Sequence, residues 1–265
     1  MTAAAKRLAG ARVLITRSED DSAEWAEELE RRGAWPVLLP CIRSEPIDTP
    51  ELRAALSKAV ASADWLVLTS RRGAEACARL LATPAETPRG GASSIAPRAT
   101  ARVTLADRTR VATVGAATAD AANKLLGRAE LLGGGNAAAL GAALASDELI
   151  AAGASVVLAL AANARDELEQ VLAAAGARCT RFDVYRTIPA PPAAQKRALS
   201  SLGAERVVLA SPSAASGFVH QVDLDVPVAI YTIGPSTTAA ARALGLDVTA
   251  EAREPSLEGI LEAMQ

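Results

Sequence analysis

At 265 residues the chain is long for one compact core and natural for two, since single domains usually run to roughly 100–200 residues. Half of the residues are hydrophobic and 22% are charged, a globular composition that argues against disordered, collagen-like and disulfide-scaffold readings. The formal net charge of −2 excludes a chain-wide positive field for nucleic acid or an anionic membrane, while a local basic cleft stays compatible with it.

Alanine accounts for 63 residues, and the hydropathy is carried by it. The longest charge-free stretches, 131–146, 149–164, 207–222 and 226–241, are each 16 residues and fall short of the ~18–20 that a membrane span needs. No membrane association is expected, and residues 1–10 have no apolar leader core, so a cytoplasmic location follows. The cysteines Cys41, Cys77 and Cys179 are far apart, odd in number and free of CxxC or Cys/His spacing. They read as reduced, buried apolar residues rather than bridges or metal ligands.

In chain order, residues 13–16 are a short apolar run that predicts a buried strand. The helix after it is capped by Ser22, shows Trp25, Ala26 and Leu29 on one face, and stops at Gly33. Residues 40–46 form a polar-edged extended run. A second buried strand falls at 65–69, followed by Ser70 and a helical pattern. The stretch 83–107, rich in Pro, Gly, Ser and Thr, reads as an exposed loop insertion. Further strands fall at 156–160 and 207–210, with a second polar-edged run at 183–189 between them. Short Val/Leu/Ile runs, each followed by a polar turn and a helix, predict parallel strands with crossover helices.

The chain repeats itself. Gly10-Ala11-Arg12-Val13-Leu14-Ile15, with Leu29, Gly33-Ala34 and Arg43, superposes on Gly153-Ala154-Ser155-Val156-Val157-Leu158, with Leu172, Gly176-Ala177 and Arg186, at a constant offset of 143. Residues 64–70 match 205–211 at offset 141, and Thr113-Val114-Gly115 with Thr118 matches Thr232-Ile233-Gly234 with Thr237 at offset 119. The 22-residue difference between the last two offsets places the extra segment in the first copy, at 83–107. The order A-B-A′-B′ leaves two assemblies open: A with B and A′ with B′, or a crossed one in which A joins B′ and B joins A′.

In parallel α/β sheets ligands bind where strand ends run into helix N-termini. Those ends carry Arg17, then Thr69, Ser70, Arg71 and Arg72, then Gly115 and Thr118, then Arg165, then Ser211 and Ser213, then Gly234, Ser236 and Thr237. Free backbone N–H groups, hydroxyls and guanidiniums are donors suited to anions; helix capping alone is the plainer reading of any one loop. The chain has no GxGxxG, no GxxxxGK[ST], no HExxH and a single histidine, His220, which reads as structural.

Leu14-Ile15-Thr16-Arg17; Leu68-Thr69-Ser70-Arg71-Arg72-Gly73-Ala74-Glu75; Val114-Gly115 with Thr118; Val184-Tyr185-Arg186-Thr187; Leu209-Ala210-Ser211-Pro212-Ser213; Ile233-Gly234-Pro235-Ser236-Thr237; and Pro255-Ser256-Leu257-Glu258 form an ordered set over residues 10–263. This succession resembles the uroporphyrinogen-III synthase family. The resemblance implies an internally duplicated, flavodoxin-like α/β fold and selects the crossed assembly. One domain would be 1–38 plus 191–265 and the other 47–182, with 39–46 and 183–190 as a two-stranded antiparallel ladder and the active cleft between domains.

It further implies a cyclising hydro-lyase of haem biosynthesis that needs no metal or other cofactor and works as a monomer. Its substrate is hydroxymethylbilane, an octacarboxylate, closed with loss of water and inversion of ring D. Tyr185 would assist departure of the substrate hydroxyl, with Arg17, Thr69, Ser70, Arg71, Arg72, Gly115, Thr118, Arg165, Ser211, Ser213, Gly234, Ser236 and Thr237 holding its carboxylates. Leu160-Ala161 stand where many relatives carry Arg-Gly, which makes Arg165 the candidate basic contact of that loop. A catalytically inactive two-domain binder of a tetrapyrrole or another anion is the alternative.

Overall fold

The computed structural model describes residues 8–82, 103–134, 136–146 and 150–265. Most of the expected 83–107 loop, Gly135 and the first seven residues lie outside them.

Contacts divide the chain into two units, 1–43 with 187–265, and 44–186. In the first, β1 (Arg12–Ile15), β2 (Trp35–Leu38), β10 (Arg206–Leu209), β12 (Ala229–Thr232) and β13 (Val248–Glu251) form a sheet in the order β13-β12-β10-β1-β2, with every pair parallel. In the second, β4 (Trp65–Leu68), β5 (Arg110–Val114), β6 (Leu131–Gly133), β7 (Ser155–Ala161) and β8 (Arg178–Pro189) form the parallel series β8-β7-β4-β5-β6. The strand β3 (Ile42–Pro46) joins that sheet at its edge beside β8. The unit boundary falls inside β3 and inside β8. A separate pair of two-residue strands, β9 (Arg197–Ala198) and β11 (Val222–Asp223), pairs in parallel.

The central strands β1, β4, β7 and β10 are largely apolar because both of their faces are covered, as parallel sheets require. On β1, Leu14 faces one cluster with Phe218 and Ala241, while Val13 and Ile15 face another with Trp25, Leu29 and Ile260. On β4, Leu66 and Leu68 face Leu56, Cys77 and Ala122, whereas Trp65 and Val67 face Leu140, Leu144 and Leu168. The covering helices of the first unit include α1 (Glu19–Arg31), α8 (Pro212–Gln221), α9 (Pro235–Ala243) and α10 (Leu257–Ala263), with a single turn, α7 (Leu199–Leu202), beside them. Those of the second are α2 (Pro50–Ser62), α3 (Arg71–Leu81), α4 (Ala116–Leu126), α5 (Ala137–Ser146) and α6 (Glu167–Ala174). Among the described residues no helix is long and apolar enough to cross a membrane.

The sequence offsets reappear as register. Val13 lies opposite Arg206, and Val156 lies opposite Trp65; offsets of 143 and 141 carry one pair onto the other. Arg206 faces Ala229 as Trp65 faces Arg110, related by 141 and 119. The turns agree as well: the Gly10 N–H donates to the Gly33 carbonyl at 2.7 Å and the Gly153 N–H to the Gly176 carbonyl at 2.8 Å.

One local expectation is corrected. The first helix begins at Glu19 with Ser18 as its N-cap residue, and Ser22 sits inside the first turns, donating to the Ser18 carbonyl at 2.7 Å. Glu19 and Asp21 precede Ser22, and acidic residues suit the positive end of a helix. That extends the helix one turn earlier than the apolar face alone indicates.

Candidate functional site

In the second unit β4 ends at Leu68, and Thr69-Ser70 turn the chain into α3. Ser70 is extended, and its Oγ accepts the Gly73 N–H at 3.0 Å, a serine N-cap. Two strands away in the same sheet, β8 delivers Tyr185, which is 9% exposed. Its phenol oxygen lies 2.9 Å from Ser70 Oγ, so residues 115 apart in sequence meet at one hydroxyl. Gly73 packs closely beneath: a methyl there would sit 3.2 Å from Ser70 Oγ and from the Ala159 carbonyl oxygen, and 3.8 Å from the tyrosine ring.

Tyr185 and Arg72 line a cavity of about 190 Å³ together with Ser44, Pro46, Glu75, Ala76 and Arg79. Ser44 Oγ is buried and has no hydrogen-bond partner among the described atoms. A larger groove of about 530 Å³ lies on the α3 and α4 side, lined by Arg71, Glu75, Ala117, Asp120, Ala121, Lys124 and Leu125. Arg71 pairs with Glu75 at 3.6 Å. The helix α4 starts at Gly115, whose φ of 74° is left-handed and which provides no side-chain cap, so the first N–H groups there depend on the backbone, water or a ligand. Thr118 is buried, 4% exposed. Arg165 is exposed and pairs with Glu167 at 3.4 Å.

The positions that Leu160-Ala161 leave without an arginine are reached from the neighbouring strand. Arg181 of β8 donates to the Ala161 carbonyl at 3.0 Å and the Ala164 carbonyl at 3.1 Å, while pairing with Glu169 at 3.2 Å and Asp183 at 2.8 Å. Its guanidinium is used in fixing this loop.

The first unit carries the corresponding strand ends of its own sheet. Arg17 stacks over Trp25, 4.7 Å from the ring centroid. Ser211 caps α8 by accepting the Ala214 N–H at 3.1 Å, and Ser213 follows it, half-buried. Gly234 opens α9 with extended backbone and no side-chain cap; Pro235 and Ser236 are exposed, and Thr237 is 1% exposed. Thr238 is fixed by Thr232 Oγ1 at 2.6 Å and by Glu251.

The structure thus brings Ser70, Arg72 and Tyr185 together, with Thr69 beside them in sequence, and places Arg71 on the adjacent groove. It shows Thr118 and Thr237 with their side chains turned into the core. Ser44 and Arg79 are additions that the sequence reading does not contain. Ser44 sits in the polar-edged run 40–46, and Arg79 lies one turn along α3 from Glu75, so an i, i+4 reading from Glu75 is the available signal. Among thiols, burial pushes Cys41 and Cys77 up to about 12 and raises Cys179 less, so none is poised as a thiolate nucleophile.

Parallel sheets covered by helices define an α/β protein, and its strand ends carry hydroxyls, helix starts without side-chain caps and guanidiniums. The family pattern described as uroporphyrinogen-III synthase HemD matches residues 23–262. This chain belongs to the uroporphyrinogen-III synthase family.

The crystal structure of uroporphyrinogen-III synthetase from Helicobacter pylori 26695 is 15% identical, covers 95% of this chain and 97% of that one, and has a TM-score of 0.51; the likeness is one of fold. A mutant uroporphyrinogen III synthase from the extremely thermophilic bacterium Thermus thermophilus is 18% identical with 96% coverage of each chain and a TM-score of 0.47. The porphyrin biosynthesis protein HemD of Ruminiclostridium josui is 35% identical over 68 residues, 26% of this chain, and the match spans 14% of that protein's length.

Proposed function

We propose that this chain is a uroporphyrinogen-III synthase that closes hydroxymethylbilane with loss of water and inversion of ring D, a cyclising lyase working as a cytoplasmic monomer. The observation that carries the reading is the family match over residues 23–262, which takes in every candidate strand-end residue except Arg17. The geometry is compatible with it. An octacarboxylate needs many separate hydrogen-bond donors rather than one basic patch, and the uncapped starts of α4 and α9 and the cavity at Arg72 supply donors of that kind.

Spontaneous closure gives the uninverted isomer, so the enzyme's task is to hold a flexible chain in one reactive fold. Orientation of that kind contributes up to ~7–11 kcal/mol when the geometry is ideal. Tyr185 would donate a hydrogen bond to the departing hydroxyl from the cavity it lines, while Arg17, Thr69, Arg71, Arg165, Ser211, Ser213 and Ser236 hold carboxylates. For Gly115, Thr118, Gly234 and Thr237 the contact assigned is the backbone, since Thr118 and Thr237 have buried side chains.

We also propose the two-domain division 1–38 plus 191–265 and 47–182, with 39–46 and 183–190 as an antiparallel ladder, and an origin by duplication of a flavodoxin-like unit. The matching registers and the shared strand order support it. The reading is tested by incubating the protein with freshly generated hydroxymethylbilane and separating type I and type III porphyrins after oxidation. Type III above the no-enzyme background supports it; binding of the tetrapyrrole with type I alone would make the chain a non-catalytic binder.

A further inference from the structure

We propose that Ser70 is a positioning residue that fixes the hydrogen of the Tyr185 phenol toward the cavity, rather than a substrate contact. The chemistry of this inference rests on the function proposed above; its geometry does not. A serine hydroxyl has one proton and two lone pairs. Ser70 Oγ spends one lone pair on the Gly73 N–H at 3.0 Å and lies 2.9 Å from the phenol oxygen. These are the two partners of that hydroxyl among the described residues, and Ser70 Oγ is the hydrogen-bond partner of the phenol.

Either hydroxyl can donate to the other, and the position of the pair chooses between the two arrangements. The helix start at α3 is a positive pole, so hydroxyl dipoles there are favoured with oxygen toward the helix and hydrogen away from it. Receiving the Gly73 N–H also polarises Ser70 into a better donor and a poorer second acceptor, since linked hydrogen bonds strengthen one another in one direction. The chain therefore runs from Gly73 N–H to Ser70 Oγ and from the Ser70 hydroxyl hydrogen to Tyr185 Oη, which leaves the phenol hydrogen turned away from Ser70 and available to the cavity whose wall Tyr185 forms with Arg72 and Ser44. No proton is transferred in this arrangement. Ser70 determines only which way the phenol points its hydrogen, and Tyr185 keeps that hydrogen for an oxygen entering the cavity.

A plain helix cap makes a different set of predictions, and two measurements separate them. The first reads turnover. Glycine is tolerated at N-caps almost as well as serine, so Ser70→Gly keeps the helix start while removing the hydroxyl, and Ser70→Thr restores it. The relay predicts that Ser70→Gly melts within a few degrees of the parent, loses roughly 10²-fold in kcat with KM changed less than about threefold, and that Ser70→Thr recovers most of the rate.

The second reads the phenol itself. Tyr231 is the second of the chain's two tyrosines, so in a Tyr231→Phe background every tyrosine signal belongs to Tyr185. The tyrosine Raman doublet rises in ratio when the phenol oxygen accepts a hydrogen bond and falls when the phenol donates one. The relay predicts an acceptor ratio in the parent and its loss in Ser70→Gly. A donor ratio in the parent, or a Ser70→Gly variant with full kcat, overturns the proposal. Should the parent show no cyclisation at all, the proposed function falls while the doublet still decides the relay.

Discussion

Gly217 lies in α8 where the helix crosses the carbonyl of Cys41, and replacing it by alanine gives a prediction with a calculable cost. A methyl at this position would sit 1.7 Å from the Cys41 carbonyl oxygen, 2.7 Å from its carbon and 3.1 Å from the Ala190 nitrogen. That same carbonyl accepts the Ala190 N–H at 2.8 Å, so the obstacle is hydrogen-bonded backbone with no rotamer to yield. Overpacking against movable side chains costs ~1–3 kcal/mol. Losing the buried hydrogen bond adds ~1 kcal/mol, and the better helix propensity of alanine returns ~1 kcal/mol. The last two cancel, and because the obstacle is backbone rather than a movable side chain the net falls at the upper end, about 3 kcal/mol, which lowers the melting temperature by roughly 10 °C in a unit of this size.

Thermal denaturation followed by circular dichroism measures the shift, and hydrogen exchange at the Ala190 amide should quicken with it. Gly234→Ala is the control, since nothing lies within 4 Å of a methyl there and its φ of 168° is open to any residue. A Gly217→Ala protein melting within about 2 °C of the parent would refute the claim that α8 is packed directly on that carbonyl.

Four further outcomes are expected. Tyr185→Phe should lower kcat by ~10²–10⁴-fold while stability changes by no more than ~1 kcal/mol, because it deletes one hydrogen bond and no packing; steady-state kinetics and a melt on the same sample check both. Gly234→Ala should melt like the parent yet weaken binding of uroporphyrinogen III, measured by titration, if the backbone at the start of α9 approaches a carboxylate. The hydrogen bond and charge of Arg53, with Arg79 beside it, hold the Asp48 carboxyl below its ordinary value. The stabilisation is therefore present above the ordinary carboxylate range and lost as pH falls through the lowered value, so Asp48→Asn should cost up to ~1 kcal/mol at pH 7 and nothing measurable in strong acid. Under native conditions at pH 8 a thiol reagent should reach Cys179 first and leave Cys77 untouched, as mass mapping of the labelled peptides would show.

The strands that sequence makes plain are those buried on both faces, since β1, β4, β7 and β10 are continuous apolar runs and fall within a residue of their expected ends. Strand β2 escapes such a reading because Trp35-Pro36-Val37-Leu38 is an edge. Trp35 is 66% exposed, and Pro36 has no N–H to donate, features common at sheet margins. The helix start at Ser70 is legible because no second serine follows it in the first turns, and the start at Ser18 is misread because Ser22 competes with it.

Residues Thr69 to Arg72 are readable as a strand end, and Tyr185 through the family motif. Their meeting is not, since it depends on β7 and β8 following β4 across one sheet. The close approach of Gly217 to Cys41, 176 positions apart, has no local signature at all.

The product isomer ratio measured against protein concentration tests the central claim most directly. With hydroxymethylbilane supplied at a fixed rate, the account predicts that the type III fraction climbs with added protein toward complete conversion and that Tyr185→Phe requires far more protein to reach the same fraction. A type III fraction that stays at the spontaneous background at every concentration would contradict it.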